Sequence, residues 1–157
     1  MNLNQPISQK FCVGDVLKSD TATRANIAEQ FTPPPEVILA ATAIAVRLLD
    51  TIPFDFYINS WYRCPRLNKL VKGARNSDHM LGCAVDIDSQ RNMNNAAIFR
   101  HLLTREFDQL IWEFGNDNAP EWVHVSFKKN NNRNQILRAA KDAAGKPKIL
   151  PFNKTQL

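Results

Sequence analysis

Apolar residues recur at helical spacing after three consecutive prolines, and this is the most regular pattern in the chain. Pro33, Pro34 and Pro35 give the segment a rigid entry, and proline is tolerated in the first turn of a helix. The apolar positions that follow match one helical face: Val37, Ile38, Ala41, Ile44, Ala45, Leu48 and Leu49. The spacing predicts an amphipathic helix over residues 35–50.

Alternating apolar and polar residues predict strands in the rest of the chain, over residues 54–60, 83–88, 109–114 and 122–128. The last two flank a turn-rich segment and should form a hairpin. Further helices are predicted over residues 21–27 (capped by Ser19 or Asp20), 65–71, 94–105 and 135–144, followed by an irregular tail. The predicted fold class is α+β, a small, mainly antiparallel sheet with helices packed on one face.

The length of 157 residues suits one domain spanning residues 1–157. No segment approaches the roughly 20 apolar residues that a membrane helix needs, so we expect no membrane span. The first ten residues lack the basic and apolar regions of a secretory signal. The three cysteines, Cys12, Cys64 and Cys83, are odd in number and form no CxxC motif, which favours free buried thiols over a Cys64–Cys83 bridge.

The net charge of +5 comes mostly from a basic tail that begins at about residue 128. This tail has eight basic side chains against one acid, Asp142. Such a surplus favours anionic partners such as cell-wall polymers, but it is also typical of a solvated surface, and both interpretations stay open. Because Phe152 is the only aromatic residue well within the tail, we expect no nucleic-acid partner.

The three histidines lie in different settings, and strand parity separates them. His101 falls in a predicted helix and should lie at the surface. His124 alternates with apolar neighbours that should face the core, so its side chain faces the other way. Asp86 has the same position in the strand over residues 83–88, and His79 lies in the turn before it, where Gly82 permits a tight bend.

Two imidazoles and one carboxylate are a common ligand set for one catalytic Zn²⁺ ion, with a fourth position left for water. The candidate metal ligands are therefore His79, Asp86 and His124. Spacing alone is weak evidence, because a histidine in a strand is more often a hydrogen-bonded polar residue.

A longer motif strengthens the metal interpretation. It contains, in order, Ser60, Tyr62, Arg63, Pro65, Asn68, Gly73, Ser77, His79, Gly82, Ala84 and Asp86. These residues resemble the pattern S-x-Y-R-x-P-x-x-N, then G, then S-x-H-x-x-G-x-A-x-D of the zinc D-alanyl-D-alanine carboxypeptidase and L-alanyl-D-glutamate endopeptidase family. The segment around His124 is similar to the W-x-H segment of that family, and the order and spacing of all the motifs agree. The resemblance is to the short bacterial and phage members, and it implies the metallopeptidase fold shared with the hedgehog domain.

The resemblance assigns roles to individual residues. It implies that His79, Asp86 and His124 bind zinc and that Arg63 contacts the substrate carbonyl, where a guanidinium would stabilise an oxyanion. Ser77 matches a residue near the substrate backbone, although it could equally cap the loop.

Two glutamates compete for the general base. In the carboxypeptidase branch the base lies three residues before the last histidine, which selects Glu121. Positions three apart in a regular strand face opposite ways, however, so Glu121 would need a bend at Pro120. Leu110, Trp112 and Phe114 should face the core, so Glu113 should share a face with His124. In short members an I-x-E segment resembles residues 111–113. Glu113 is therefore preferred and Glu121 is the alternative.

The implied function is hydrolysis of peptidoglycan peptides by a metal-activated water, as a D-Ala-D-Ala carboxypeptidase or as a wall endopeptidase of the endolysin type. The alternative is a non-catalytic zinc-binding module of a virion or cell wall with the same fold. Action at the bacterial cell wall without a visible signal would require release by lysis, delivery by a phage virion, or a leader missing from this sequence. The sequence leaves the cleaved bond, the host and the oligomeric state open.

Overall fold

A computed structural model of the chain describes residues 1–90 and 93–152. Within them, the α-helices are Val13–Leu17 (α1), Asp20–Arg24 (α2), Pro35–Arg47 (α3), Pro65–Leu70 (α4) and Asn95–Leu102 (α5). Short 3-10 helices cover Ala28–Phe31, Leu49–Thr51 and Asp78–Leu81. The strands are Tyr57–Ser60 (β1), Ala84–Asp88 (β2), Gln109–Glu113 (β3), Trp122–Ser126 (β4), Gln135–Lys141 (β5) and Pro147–Pro151 (β6).

These elements belong to two compact units, one formed by Met1–Thr51 with Ser60–Val85 and the other by Ile52–Asn59 with the chain from Asp86 onward. The main helix of the first unit, α3, confirms the predicted amphipathic helix. Its buried positions are Val37, Ala41, Ile44 and Ala45. Ser19 also caps α2 as one of the two predicted candidates, because its hydroxyl oxygen accepts a hydrogen bond from the backbone N–H of Ala22 at 3.1 Å.

Gly82 ends the 3-10 helix that carries His79, and its backbone requires glycine. Its φ of +74° lies in the left-handed region that side chains disfavour. A Cβ atom at this position would lie 2.5 Å from the backbone oxygen of Val37. The predicted tight turn is confirmed, and it holds the chain close to α3 just before β2 begins.

The sheet has the strand order β1-β2-β4-β3-β5-β6. Strands β3 and β4 pair antiparallel, as do β5 and β6, whereas β3 and β5 run parallel. The α+β class is therefore confirmed, and the sheet is mixed. Its antiparallel β3–β4 pair is the predicted hairpin.

Helix α5 packs against β3 and β4 in the second unit, and its contact with β3 is aromatic. The rings of Phe99 and Trp112 pack edge to face with their centroids 5.2 Å apart, and the ring centroids of Phe152 and Phe99 are 5.1 Å apart. Edge-to-face pairs of this kind stabilise a core beyond the area they bury. Ile98, Phe99 and Leu102, which lie on the inner face of this helix, are all buried.

The helix predicted over residues 135–144 is wrong, because this segment forms strand β5. Its alanines, glutamine, leucine and basic residues favour a helix when taken alone. In the fold, Leu137 lies opposite Ile111 and Ala139 lies opposite Glu113 in a parallel pairing. Leu137, Ala139 and Ile111 form a small buried cluster, and tertiary packing therefore overrides the local helix propensity.

The basic tail is therefore partly structured, and the irregular tail predicted after residue 144 is wrong where Pro147–Pro151 form β6, which pairs with β5. Lys128 and Arg133 form ion pairs with the buried carboxylate of Asp108. Arg138 lies in β5 and pairs with Asp117 at 2.5 Å. Lys154, the last basic residue of the tail, lies outside the described residues.

Candidate metal centre

Asp86 and His124 lie on β2 and β4, which are neighbours in the sheet. The apolar residues on either side of each, such as Val85 and Val123, are fully buried. The side chains of Asp86 and His124 are 13% and 12% exposed, and the Nδ1 atom of His124 lies 2.8 Å from Oδ1 of Asp86. Strand alternation thus places an imidazole and a carboxylate on one face, as the sequence predicts.

His79 is nearly buried, at 3% exposure, in the 3-10 helix that precedes Gly82. Its Nδ1 atom lies 2.7 Å from the backbone oxygen of Trp61. A carbonyl oxygen can only accept a hydrogen bond, so Nδ1 carries the proton and the lone pair lies on Nε2. A backbone carbonyl that orients a histidine in this way is the usual support for a metal ligand.

One ligand atom from each of His79, Asp86 and His124 lies within 4.8 Å of the other two, and this is the one such group in the chain described, residues 1–90 and 93–152. Two atoms bound to a tetrahedral zinc at about 2.1 Å are separated by roughly 3.4 Å. The 2.8 Å contact between Nδ1 of His124 and Oδ1 of Asp86 is a hydrogen-bond distance and is shorter than that separation, so the two atoms would move slightly apart around an ion. Two imidazoles and one carboxylate therefore fit a divalent metal ion in their chemistry, and one ligand atom from each lies close enough to the others to share one ion.

Arg63 and the segment that carries His79 are joined through the backbone. The Arg63 N–H donates to the backbone oxygen of His79 at 3.1 Å. The Nε–H group of the half-buried Arg63 side chain donates to the hydroxyl of Ser60 at 2.8 Å. These bonds hold the backbone and the Nε atom of Arg63 in the compact unit that contains His79.

Ser77 immediately precedes the 3-10 helix of His79. Its backbone oxygen accepts from the N–H of Met80 at 3.0 Å. Its hydroxyl makes no capping hydrogen bond to this helix. The capping interpretation of the Ser77 side chain is therefore not supported by the local geometry.

The pairing of β3 with β4 separates the two candidate bases. Ile111 lies directly opposite His124 and Glu113 lies opposite Trp122, so Glu113 shares the face of His124. Glu113 is half-buried, whereas Glu121 is exposed. The Glu121 backbone N–H donates to the backbone oxygen of Glu113 at 2.9 Å, and Glu121 lies just before the strand that carries His124.

Glu121 lines a separate hollow of about 290 Å³ with Phe114 and the basic residues Arg138 and Lys141. The prediction that Phe114 faces the core beside Trp112 is wrong. Its φ of +53° ends β3 and turns the ring toward the cluster of Ile111 and its neighbours. The parity of Glu113, inside the strand, is unaffected.

Three buried polar residues had no signal in the sequence. Gln30 is a buried amide in a polar stretch before the prolines. Asn95 is also buried, and its side chain bonds to Ser89 and to the backbone oxygens of residues 120 and 121. Asp108 is a buried carboxylate at the start of β3. None of the three belongs to an apolar or charged pattern.

Within the described ranges, 1–90 and 93–152, no helix is both long enough and apolar enough to cross a membrane. A comparison with curated proteins finds no match. A comparison with models of protein families matches residues 12–126 to the family described as Peptidase M15. This range contains every residue of the candidate centre and well over half of the chain. The resemblance in the motifs is confirmed, and the chain belongs to the Peptidase M15 family, which indicates a metallopeptidase.

Proposed function

We propose that the protein is a zinc metallopeptidase that hydrolyses peptide bonds of bacterial peptidoglycan and acts at the bacterial cell wall. The observation that carries the proposal is the meeting of ligand atoms from His79, Asp86 and His124 within 4.8 Å. The family supports peptidase chemistry. The wall substrate rests on the motif resemblance, and both the carboxypeptidase and the endopeptidase activity fall within it.

His79, Asp86 and His124 are the proposed zinc ligands. When bound, zinc supplies the Lewis acidity that activates water and polarises a peptide carbonyl. The ligand set carries a single negative charge, so the centre keeps a net positive charge. The hydrogen bond from His79 Nδ1 to Trp61 keeps this imidazole in the tautomer that a metal requires.

Arg63 is the proposed electrostatic partner of the scissile carbonyl. Negative charge develops on the carbonyl oxygen as water attacks, and a fixed guanidinium lowers the energy of that state. The hydrogen bonds of Arg63 to Ser60 and His79 reduce the freedom of its side chain and backbone. Ser77 is the proposed contact to the substrate backbone.

Glu113 is the proposed general base, which takes a proton from the attacking water and passes it to the leaving amine. Its position on the face of His124 and its partial burial support this role. Glu121 remains the alternative. Its exposure and its place in the hollow with Arg138 and Lys141 favour a surface role.

The test is digestion of purified peptidoglycan, followed by mass spectrometry of the released muropeptides. We expect new peptide termini that disappear with a zinc chelator and return when zinc is added. Mass differences identify the cleaved bond. Absence of metal-dependent cleavage by the folded, zinc-loaded protein would contradict the proposal.

A matched pair of isosteric variants assigns the base. Glu113→Gln should lower the cleavage rate about a hundredfold or more, whereas Glu121→Gln should change it by less than about threefold. The reverse order would make Glu121 the base. If the parent binds cell walls without cleaving them, and both variants bind as it does, the non-catalytic module is the better account.

A further inference from the structure

Gln30 is fully buried, and all of its polar atoms are used in the first unit. Its Nε2 group donates to the backbone oxygen of Tyr62 at 2.8 Å and to that of Leu17 at 3.2 Å. Its Oε1 atom accepts from the backbone N–H of Cys64 at 2.9 Å. The amide thus holds the chain immediately before and immediately after Arg63.

Two further bonds join the loop over residues 61–64 to the segment of His79, and the backbone N–H of Tyr62 donates to the backbone oxygen of Val16 at 3.2 Å. The backbone oxygen of Trp61 accepts from the imidazole of His79, and the backbone N–H of Arg63 donates to the backbone oxygen of His79. The ring of Trp61 is itself anchored by its N–H to the backbone oxygen of Gly82 at 3.1 Å. The backbone that Gln30 holds therefore carries one proposed substrate contact and orients one proposed metal ligand.

We propose that Gln30 is a positioning residue for Arg63, which it acts on through the backbone of Tyr62 and Cys64. This inference rests on the proposed function for its effect on catalysis, but not for its effect on the arginine. A glutamine is suited to the task because its amide donates on one side and accepts on the other. No hydrocarbon side chain of the same length can hold a carbonyl oxygen and an N–H group together.

Gln30→Met is the informative variant, since methionine is similar in length and flexible but makes none of the three hydrogen bonds. Two buried carbonyl oxygens and one N–H group would lose their partner, so the loop must shift to reach water or other donors. The matched control is Ile44→Ala, which opens a cavity in α3 of the same unit and leaves the Gln30 bonds in place. Thermal unfolding establishes that both variants are folded at the temperature of the assay.

The first readout does not need activity. The Nε–H group of Arg63 donates to Ser60, and NMR of nitrogen-15-labelled protein gives its exchange rate with solvent. Gln30→Met should raise that rate about tenfold or more, whereas Ile44→Ala should change it by less than about threefold. An unchanged rate in Gln30→Met, or an equal rise in the control, would overturn the proposal.

The second readout is a double-mutant cycle on turnover of a stem peptide. Gln30→Met should lower kcat about thirtyfold in the parent but less than about threefold in the Arg63→Ala background, because the two changes remove the same contribution. Equal losses in both backgrounds would contradict an action through Arg63. An inactive parent with an accelerated Arg63 exchange in Gln30→Met would refute the proposed function and leave the positioning role intact.

Discussion

The side chain of Asp108, a carboxylate just before β3, is fully buried and binds residues of the segment that follows β4. It pairs with Lys128 at 3.0 Å and with the guanidinium of Arg133, and it also accepts from the backbone N–H of Arg133 at 3.2 Å. The hydrogen bonds from Arg133 hold the pKa of Asp108 far below its usual value, and Lys128 lowers it further. Ser126, at the end of the strand that carries His124, lies beside the same carboxylate.

Asp108→Asn should lower the free energy of unfolding by about 3 kcal/mol. Removing one partner of a buried ion pair typically costs roughly 3–5 kcal/mol. The low end of that range applies here, since Lys128 and Arg133 are 35% and 49% exposed and can be solvated when the charge is lost. For a protein of this size, such a loss corresponds to a decrease in Tm of about 6–12 °C.

The stability that Asp108 contributes depends on pH, and the direction follows from its lowered pKa. The folded-state pKa of Asp108 is lowered, so its stabilising contribution is complete above the unfolded value of about 3.9 and is lost as the pH falls through the folded value. The difference between parent and Asp108→Asn should therefore be constant from about pH 5 to pH 8 and shrink only under more acidic conditions.

The assay is urea or thermal unfolding of both proteins, with Asp117→Asn as the control. Asp117 also pairs with an arginine, but its side chain is 68% exposed. We expect the control to cost less than about 0.5 kcal/mol. A loss below about 1 kcal/mol for Asp108→Asn, or equal losses for both variants, would refute the argument from burial.

Three further substitutions have defined outcomes. Arg63→Lys should lower kcat about tenfold or more while Tm changes little, because an ammonium cannot reproduce the planar guanidinium; steady-state kinetics and calorimetry together check this. Gly82→Ala should destabilise the protein by more than about 1 kcal/mol in urea unfolding, since it combines a positive φ with a clash against backbone. Asn95→Leu should cost about 2 kcal/mol or more in the same experiment, because it removes the hydrogen-bond partner of buried polar groups of Ser89 and Pro120.

The shared face of Asp86 and His124 could be predicted from the sequence because it depends on strand alternation. Val85 and Ile87 have to be buried, which directs Asp86 to the other face, and the same holds for His124 between Val123 and Val125. This rule needs only the period of two in a strand. The position of His79 close to Asp86 and His124 was predicted from Gly82, which permits a left-handed turn and is visible in the sequence.

The features that the sequence did not reveal depend on contacts between distant segments. Strand β5 forms because Leu137 covers Ile111, although its residues favour a helix. Gln30 joins backbone groups 13 and 32 or more residues away, so no local pattern marks it. Phe114 leaves its predicted face because the strand ends one residue earlier than its apolar pattern.

Titration of the metal-depleted protein with zinc, followed by calorimetry, tests the central claim most directly. We expect one ion per chain, with binding at least about a hundredfold weaker in His79→Ala, Asp86→Ala and His124→Ala, since each removes one of three ligands. His101→Ala, which changes the remaining histidine of the chain, should bind like the parent. Equal zinc affinity in the parent and the three ligand variants would contradict the account.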